Sequence, residues 1–128
     1  MDITIQPGKL AGSIPAIPSK SHAHRLLICA AFADGVSELI CPETNQDIEA
    51  TVACLRALGA QIDATDSGYT VFPVKNAPKT AVLPCCESGS TLRFMLPVVG
   101  ALGVDATFIM EGRLPNRPLS PLWEEMER

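Results

Sequence analysis

The stretch TNQDIEATVACLRALGAQIDATDSGYTVFPV, Thr44 to Val74, decides the fold. Thr44-Asn45-Gln46-Asp47 offers an N-cap at Thr44 with an acidic residue three places on, close to a capping box. Ile48, Val52 and Leu55 recur at helical spacing, Leu58 follows more loosely, and Gly59 stands where a C-cap is expected. Beyond it, Gln61 to Thr65 and Tyr69 to Val74 read as two strands. They are joined by Asp66-Ser67-Gly68, whose glycine supplies the positive φ a hairpin turn needs.

Upstream, Asp2 to Gln6 alternates apolar and polar residues and ends at Pro7-Gly8, the pattern of a short strand and turn. Residues 20–33 predict a helix apolar on nearly all sides, hence buried, and stopped by Asp34-Gly35. Ser37 to Cys41 is a short strand candidate. Downstream, Val74 to Thr80 is a polar link. The cycle then begins again with a strand near Ala81 to Leu83, a helix over Ser88 to Leu102, a strand over Ala106 to Met110 and a last helix from Pro121. The order strand, helix, strand, helix, hairpin, followed by an unfinished second round, predicts about one and a half copies of a repeating α/β unit.

At 128 residues and 47% hydrophobic content the chain suffices for one ordinary core. A net charge of −4 with no Lys/Arg run argues against nucleic acid as a partner. No stretch approaches the roughly 18 consecutive apolar residues of a membrane helix. Met1-Asp2-Ile3-Thr4 lacks the basic-then-apolar order of a signal peptide, so a cytoplasmic protein is expected, with no membrane partner. The five cysteines lie mostly in apolar runs, which favours packed, reduced thiols. Cys85 and Cys86 are adjacent, but there is no Cys-x-x-Cys and His22 and His24 lie in another segment, so no metal site is expected.

Three clusters carry chemistry. Pro18-Ser19-Lys20-Ser21, with Arg25 a turn later, places a lysine between hydroxyls at the start of a helix, where unpaired N–H groups and the dipole favour an anion. Glu87-Ser88-Gly89-Ser90-Thr91-Leu92-Arg93 is a hydroxyl-rich turn feeding another helix, with Gly89 allowing close approach to the backbone. Arg93 one turn in could serve structure by pairing with a carboxylate, and Pro97 should kink this helix. Gly112-Arg113-Leu114-Pro115-Asn116-Arg117-Pro118 is a proline-stiffened loop whose arginines suit bidentate contact with phosphate or carboxylate. Plain serine caps and solvated surface charge account for each cluster taken alone. All three fall on loops that follow strands and open helices, and that shared placement favours an anion site.

In this order, the three motifs resemble the N-terminal part of the 5-enolpyruvylshikimate-3-phosphate synthase family, over essentially Met1 to Arg128. The resemblance implies two domains of repeated βαβαββ units closing over substrates, with about one and a half units of the enolpyruvyl transferase type in this chain. It implies transfer of a carboxyvinyl group from phosphoenolpyruvate to the 5-hydroxyl of shikimate 3-phosphate, with no metal or organic cofactor. Lys20 would be catalytic and contact both substrates. Ser21 and Arg25 would bind shikimate 3-phosphate, while Gly89 and Arg117 would hold phosphoenolpyruvate. The strand within residues 1–13 would belong to the far domain, leaving 14–128 as an incomplete N-terminal domain.

Two positions depart from the family pattern: Glu87-Ser88-Gly89-Ser90 replaces the frequent Asn-Ala-Gly-Thr, and Phe94 stands where proline is frequent. The acid/base carboxylates of the family come from later sequence, and Asp47 and Asp63 do not replace them. The chain is therefore expected to be a truncated piece, silent without a C-terminal partner and prone to self-association through exposed apolar faces. Two alternatives stand beside this. The related UDP-N-acetylglucosamine enolpyruvyl transferase family typically shows Lys-Asn at the first motif and a cysteine at the place of Gly112. A non-catalytic module binding a phosphorylated metabolite, or a structural fragment with empty loops, would also carry these elements.

Overall fold

The apolar stripe between Ile48 and Leu58 forms α2, Gln46–Ala57, in the computed structural model, which describes residues 2–128. Ile48, Val52, Leu55 and Leu58 are completely buried. The cap falls one residue later than expected. Asn45 is the N-cap, its side-chain oxygen accepting from the backbone N–H groups of Asp47 and Ile48 at 3.1 Å each. Thr44 is engaged elsewhere: its hydroxyl donates to Glu49 at 2.8 Å and accepts from Tyr69 at 2.9 Å. Asn is the stronger cap of the two, and the contact with Tyr69 engages Thr44 elsewhere.

Strands β1 (Ser37–Ile40), β2 (Gln61–Thr65) and β3 (Gly68–Phe72) form an antiparallel sheet in the order β1-β3-β2. Thr65 pairs with Gly68, so the hairpin turn is Asp66-Ser67 alone. Gly68 is required by its neighbour as much as by the turn. At φ +150° its missing Cβ would lie 2.0 Å from the Leu39 carbonyl oxygen of β1.

Helix α1 (Lys20–Ala31) lays Ala23, Leu27, Ala30 and Ala31 into the core. The expected burial on all sides holds on that face only, because Leu26 and Cys29 remain exposed. They line an open apolar groove against β1, one of the two edge strands of its sheet. Ile40 on that strand is 85% exposed.

The second round comprises β4 (Thr80–Cys86), α3 (Gly89–Leu102) and β5 (Asp105–Met110). The two strands pair in parallel, which requires a crossover, and α3 supplies it. Strand β4 is longer than expected at both ends because the β5 ladder runs from Thr80 to Cys86. Pro97 lies within α3 without ending it. A 3-10 turn at Leu114–Asn116 and a short α4 at Leu122–Met126 complete the chain. The elements follow the repeated α/β order to about one and a half units.

The opening strand is the exception. Residues 2–19 contain no helix or strand, and Asp2 to Gln6 pair with nothing among the described residues. An alternating segment becomes a strand only where another edge completes its ladder. Met1, the first residue of the expected strand segment, lies outside the described residues.

Gly68→Ala should lower stability by roughly 2 kcal/mol or more, since the new methyl meets backbone rather than a yielding side chain. Gly35→Ala, with no atom within 4 Å of its Cβ position, should be near neutral. Urea midpoints of the two variants measure the contrast.

Candidate functional site

Each of the three longer helices opens on a side-chain cap. Ser19 caps α1, Asn45 caps α2 and Ser88 caps α3. Their first turns meet. The Lys20 ammonium donates to the Asp47 carboxylate at 2.5 Å, joining α1 to α2. The Thr91 hydroxyl lies 3.2 Å from the Asp47 carbonyl and 2.8 Å from the Thr51 hydroxyl, joining α2 to α3. Three positive dipole ends therefore face one region, each carrying roughly half a unit charge and unpaired N–H groups.

The backbone reaches this region in a defined way. Strand β4 ends at Cys86 in the left-handed conformation, φ 49°, and Ser88 N–H then donates to the Cys85 carbonyl at 2.9 Å. That turn delivers Gly89 to the start of α3. A Cβ on Gly89 would sit 2.9 Å from Arg93 Nη1 and 3.2 Å from Arg117 Nη1. Two guanidinium groups thus lie against the one residue whose lack of a side chain leaves room for them. Arg93 pairs with no carboxylate; it donates to the carbonyls of Gly89 at 3.3 Å and Pro118 at 2.7 Å, tying α3 to the arginine loop. Among the described residues, neither Arg25, Arg93 nor Arg117 forms a salt bridge.

Lys20, Gly89 and Arg117, named from the sequence, all lie about the joined amino ends. Ser21 and Arg25 flank them on α1. Arg25 donates to the Ser21 carbonyl at 2.7 Å and sits 4.8 Å above the ring of Phe94 on α3. Phe94 therefore serves as a platform for that cation.

Glu87 docks on the opening of the arginine loop. Its carboxylate accepts from the Arg113 backbone N–H at 3.0 Å and occupies the space a side chain at Gly112 would need. Asp63 lies on β2, accepting from Gln61 at 3.0 Å, remote from these groups.

Two features escaped sequence reasoning. Asp47 pairs with Lys20 across 27 residues, and no spacing rule connects them. The other is a buried polar chain: His24 Nδ1 lies 2.7 Å from the Thr51 hydroxyl, which continues to Thr91 and, 2.7 Å further, to Ser88. His24 is fully buried. Burial pushes its pKa below the ordinary 6.5, outweighing the raising effect of Asp47 and aided by Lys20 and Arg25.

An α/β protein of repeated units, with arginines, a lysine and free helix amides gathered at one end, has the chemistry to receive a small polyanion. Comparison with known proteins makes the class specific. The family model described as EPSP synthase (3-phosphoshikimate 1-carboxyvinyltransferase) matches residues 5–128. A 3-phosphoshikimate 1-carboxyvinyltransferase of Clostridium kluyveri is 39% identical over 123 residues, covering 95% of this chain and 29% of that protein. One from Clostridium botulinum is 40% identical over 126 residues, covering 94% and 29%. A solved EPSP synthase from Acinetobacter baumannii superposes with a TM-score of 0.74 at 22% identity, over 91% of this chain and 27% of that one, a likeness of fold. The chain belongs to the EPSP synthase family. It spans about 29% of the length of those two curated relatives.

The Lys20–Asp47 pair is partly exposed, with side chains 46% and 29% accessible, so its contribution to stability is at most about 1 kcal/mol. Lys20→Met should therefore change the urea midpoint little while weakening binding of a phosphorylated ligand roughly tenfold or more, read by titration. His24 predicts a pH effect with a definite sign. A folded pKa below 6.5 means that protons favour the unfolded chain, so its contribution is complete above about 6.5 and lost as pH falls through the lower folded value. Stability measured from pH about 8 down to about 5 should decline less steeply in His24→Asn than in the parent.

Proposed function

We propose that the chain is the N-terminal portion of an enzyme that transfers the carboxyvinyl group of phosphoenolpyruvate to the 5-hydroxyl of shikimate 3-phosphate and releases phosphate. The observation that carries this is the common position of Lys20, Gly89 and Arg117 at the joined amino ends of three helices. Two polyanions can share a cleft only where fixed cations and N–H dipoles offset their repulsion, and this end of the molecule supplies both.

In this proposal Ser21 and Arg25 bind shikimate 3-phosphate. Gly89 offers its backbone to phosphoenolpyruvate, and Arg117 holds that substrate's anionic end. Lys20 reaches both substrates and stabilises charge as the tetrahedral adduct forms, exchanging Asp47 for a substrate anion. The Glu87 carboxylate already has a partner in the Arg113 backbone N–H, which fits the assignment. Lys20-Ser21 and Gly112 favour shikimate 3-phosphate over a UDP-sugar acceptor.

The partners are the two small anions and the remaining sequence present in the relatives, which would furnish the opposing wall and the acid/base groups. The exposed Leu26, Val36 and Ile40 beside β1 would cover themselves by self-association when that wall is absent. The free thiols fit a reducing, cytoplasmic setting.

Titration of the 128-residue chain with shikimate 3-phosphate should shift the NMR signals of Ser21, Arg25 and Gly89, with no phosphate release on adding phosphoenolpyruvate. Mixing with the C-terminal remainder of a relative should produce turnover. Absence of any shift at these residues, or turnover by the chain alone, would overturn the proposal.

A further inference from the structure

Buried hydroxyls and a buried imidazole have few ways to share their protons, and here the geometry leaves one. The Asp47 carbonyl can only accept, so the Thr91 hydroxyl, 3.2 Å away, donates toward it and toward Ser88 Oγ at 2.7 Å. Having spent its proton, Thr91 must accept from Thr51 at 2.8 Å. Thr51 in turn must accept from His24 at 2.7 Å, which puts the proton on Nδ1. The second ring nitrogen supports the same order. Nε2 is the one buried side-chain nitrogen or oxygen without a partner among the described residues. As a bare acceptor it is tolerable, whereas the opposite tautomer would bury an unpaired N–H.

We propose that His24 is a positioning residue for the anion site: as the neutral Nδ1–H tautomer it starts a one-way chain of donors, His24 to Thr51 to Thr91 to Asp47 and Ser88, that holds the first turns of α1, α2 and α3 together. Each terminus of the chain governs a site group. Asp47 receives the Lys20 ammonium, and Ser88 caps the turn that presents Gly89. The charged groups near the ring are Lys20 and Arg25 on α1 and Asp47 on α2, while α3 presents the ring of Phe94 at 6.2 Å. None of these offers Nε2 a hydrogen bond. Because Ser88 accepts from both the hydroxyl and the backbone N–H of Thr91, its own proton remains free to donate at the amino end of α3.

The inference rests on the proposed function only for its ligand measurement. In the 15N-labelled parent chain at neutral pH, long-range proton–nitrogen spectra should show His24 protonated at Nδ1 and bare at Nε2; the reverse pattern overturns the proposal. Two variants separate positioning from space-filling. His24→Asn sets an amide donor where Nδ1 lies, whereas the longer His24→Gln, nearer histidine in volume, sets its amide where Nε2 lies. Asn should preserve the Gly89 and Thr91 amide signals and their exchange protection, with shikimate 3-phosphate affinity within about threefold. Gln should disturb those signals and weaken binding roughly tenfold. Equal behaviour of the two, or a better result from Gln, refutes the donor chain, and should either variant fail to fold, the parent tautomer still decides. If the parent binds no shikimate 3-phosphate, the function proposal fails, while tautomer and exchange protection still judge His24.

Discussion

The hydroxyl of Thr91 is the joint on which the rest of the molecule depends. It lies in an otherwise apolar interior, within hydrogen-bond reach of Thr51, Ser88 and the Asp47 carbonyl. A buried polar group without partners costs on the order of 1–3 kcal/mol, so these groups are satisfied together or not at all. The packing that satisfies them here puts α2 and α3 amino end to amino end, and His24 draws α1 into the same cluster.

That packing has an electrostatic cost. Three helices joined at the same end bring positive dipole ends together, with Lys20, Arg93 and Arg117 added nearby. Asp47, set on the first turn of α2, offsets part of this and holds the Lys20 ammonium. Surplus positive potential beside one internal counterion suits a site to take an anion by exchange.

The two departures from the family pattern become intelligible through their neighbours. Glu87 finds a backbone donor at Arg113 and fills the space that Gly112 leaves vacant, so the acid and the glycine depend on each other. Phe94 offers its face to Arg25 and meets His24 edge-on, joining the arginine of the first motif to α3. In both cases the substituted side chain is held by a partner within the fold.

By itself the sequence determined the element order from α1 onward, the hairpin and the identity of the cationic clusters. These depend on periodicity, turn chemistry and caps, which act over a few residues. It erred where distant neighbours engaged a candidate cap, as Tyr69 engages Thr44, or where a partner had to be present, as with Asp2 to Gln6 and the open face of α1. Only the tertiary structure decided that Lys20 meets Asp47, that Arg93 holds carbonyls, that Glu87 meets Arg113 and that His24 joins a buried hydroxyl chain. Those contacts span 25 to 44 residues, apart from the short links of Arg93 to Gly89 and Thr91 to Ser88. No local pattern encodes a hydrogen bond whose two ends come together only when separate helices pack.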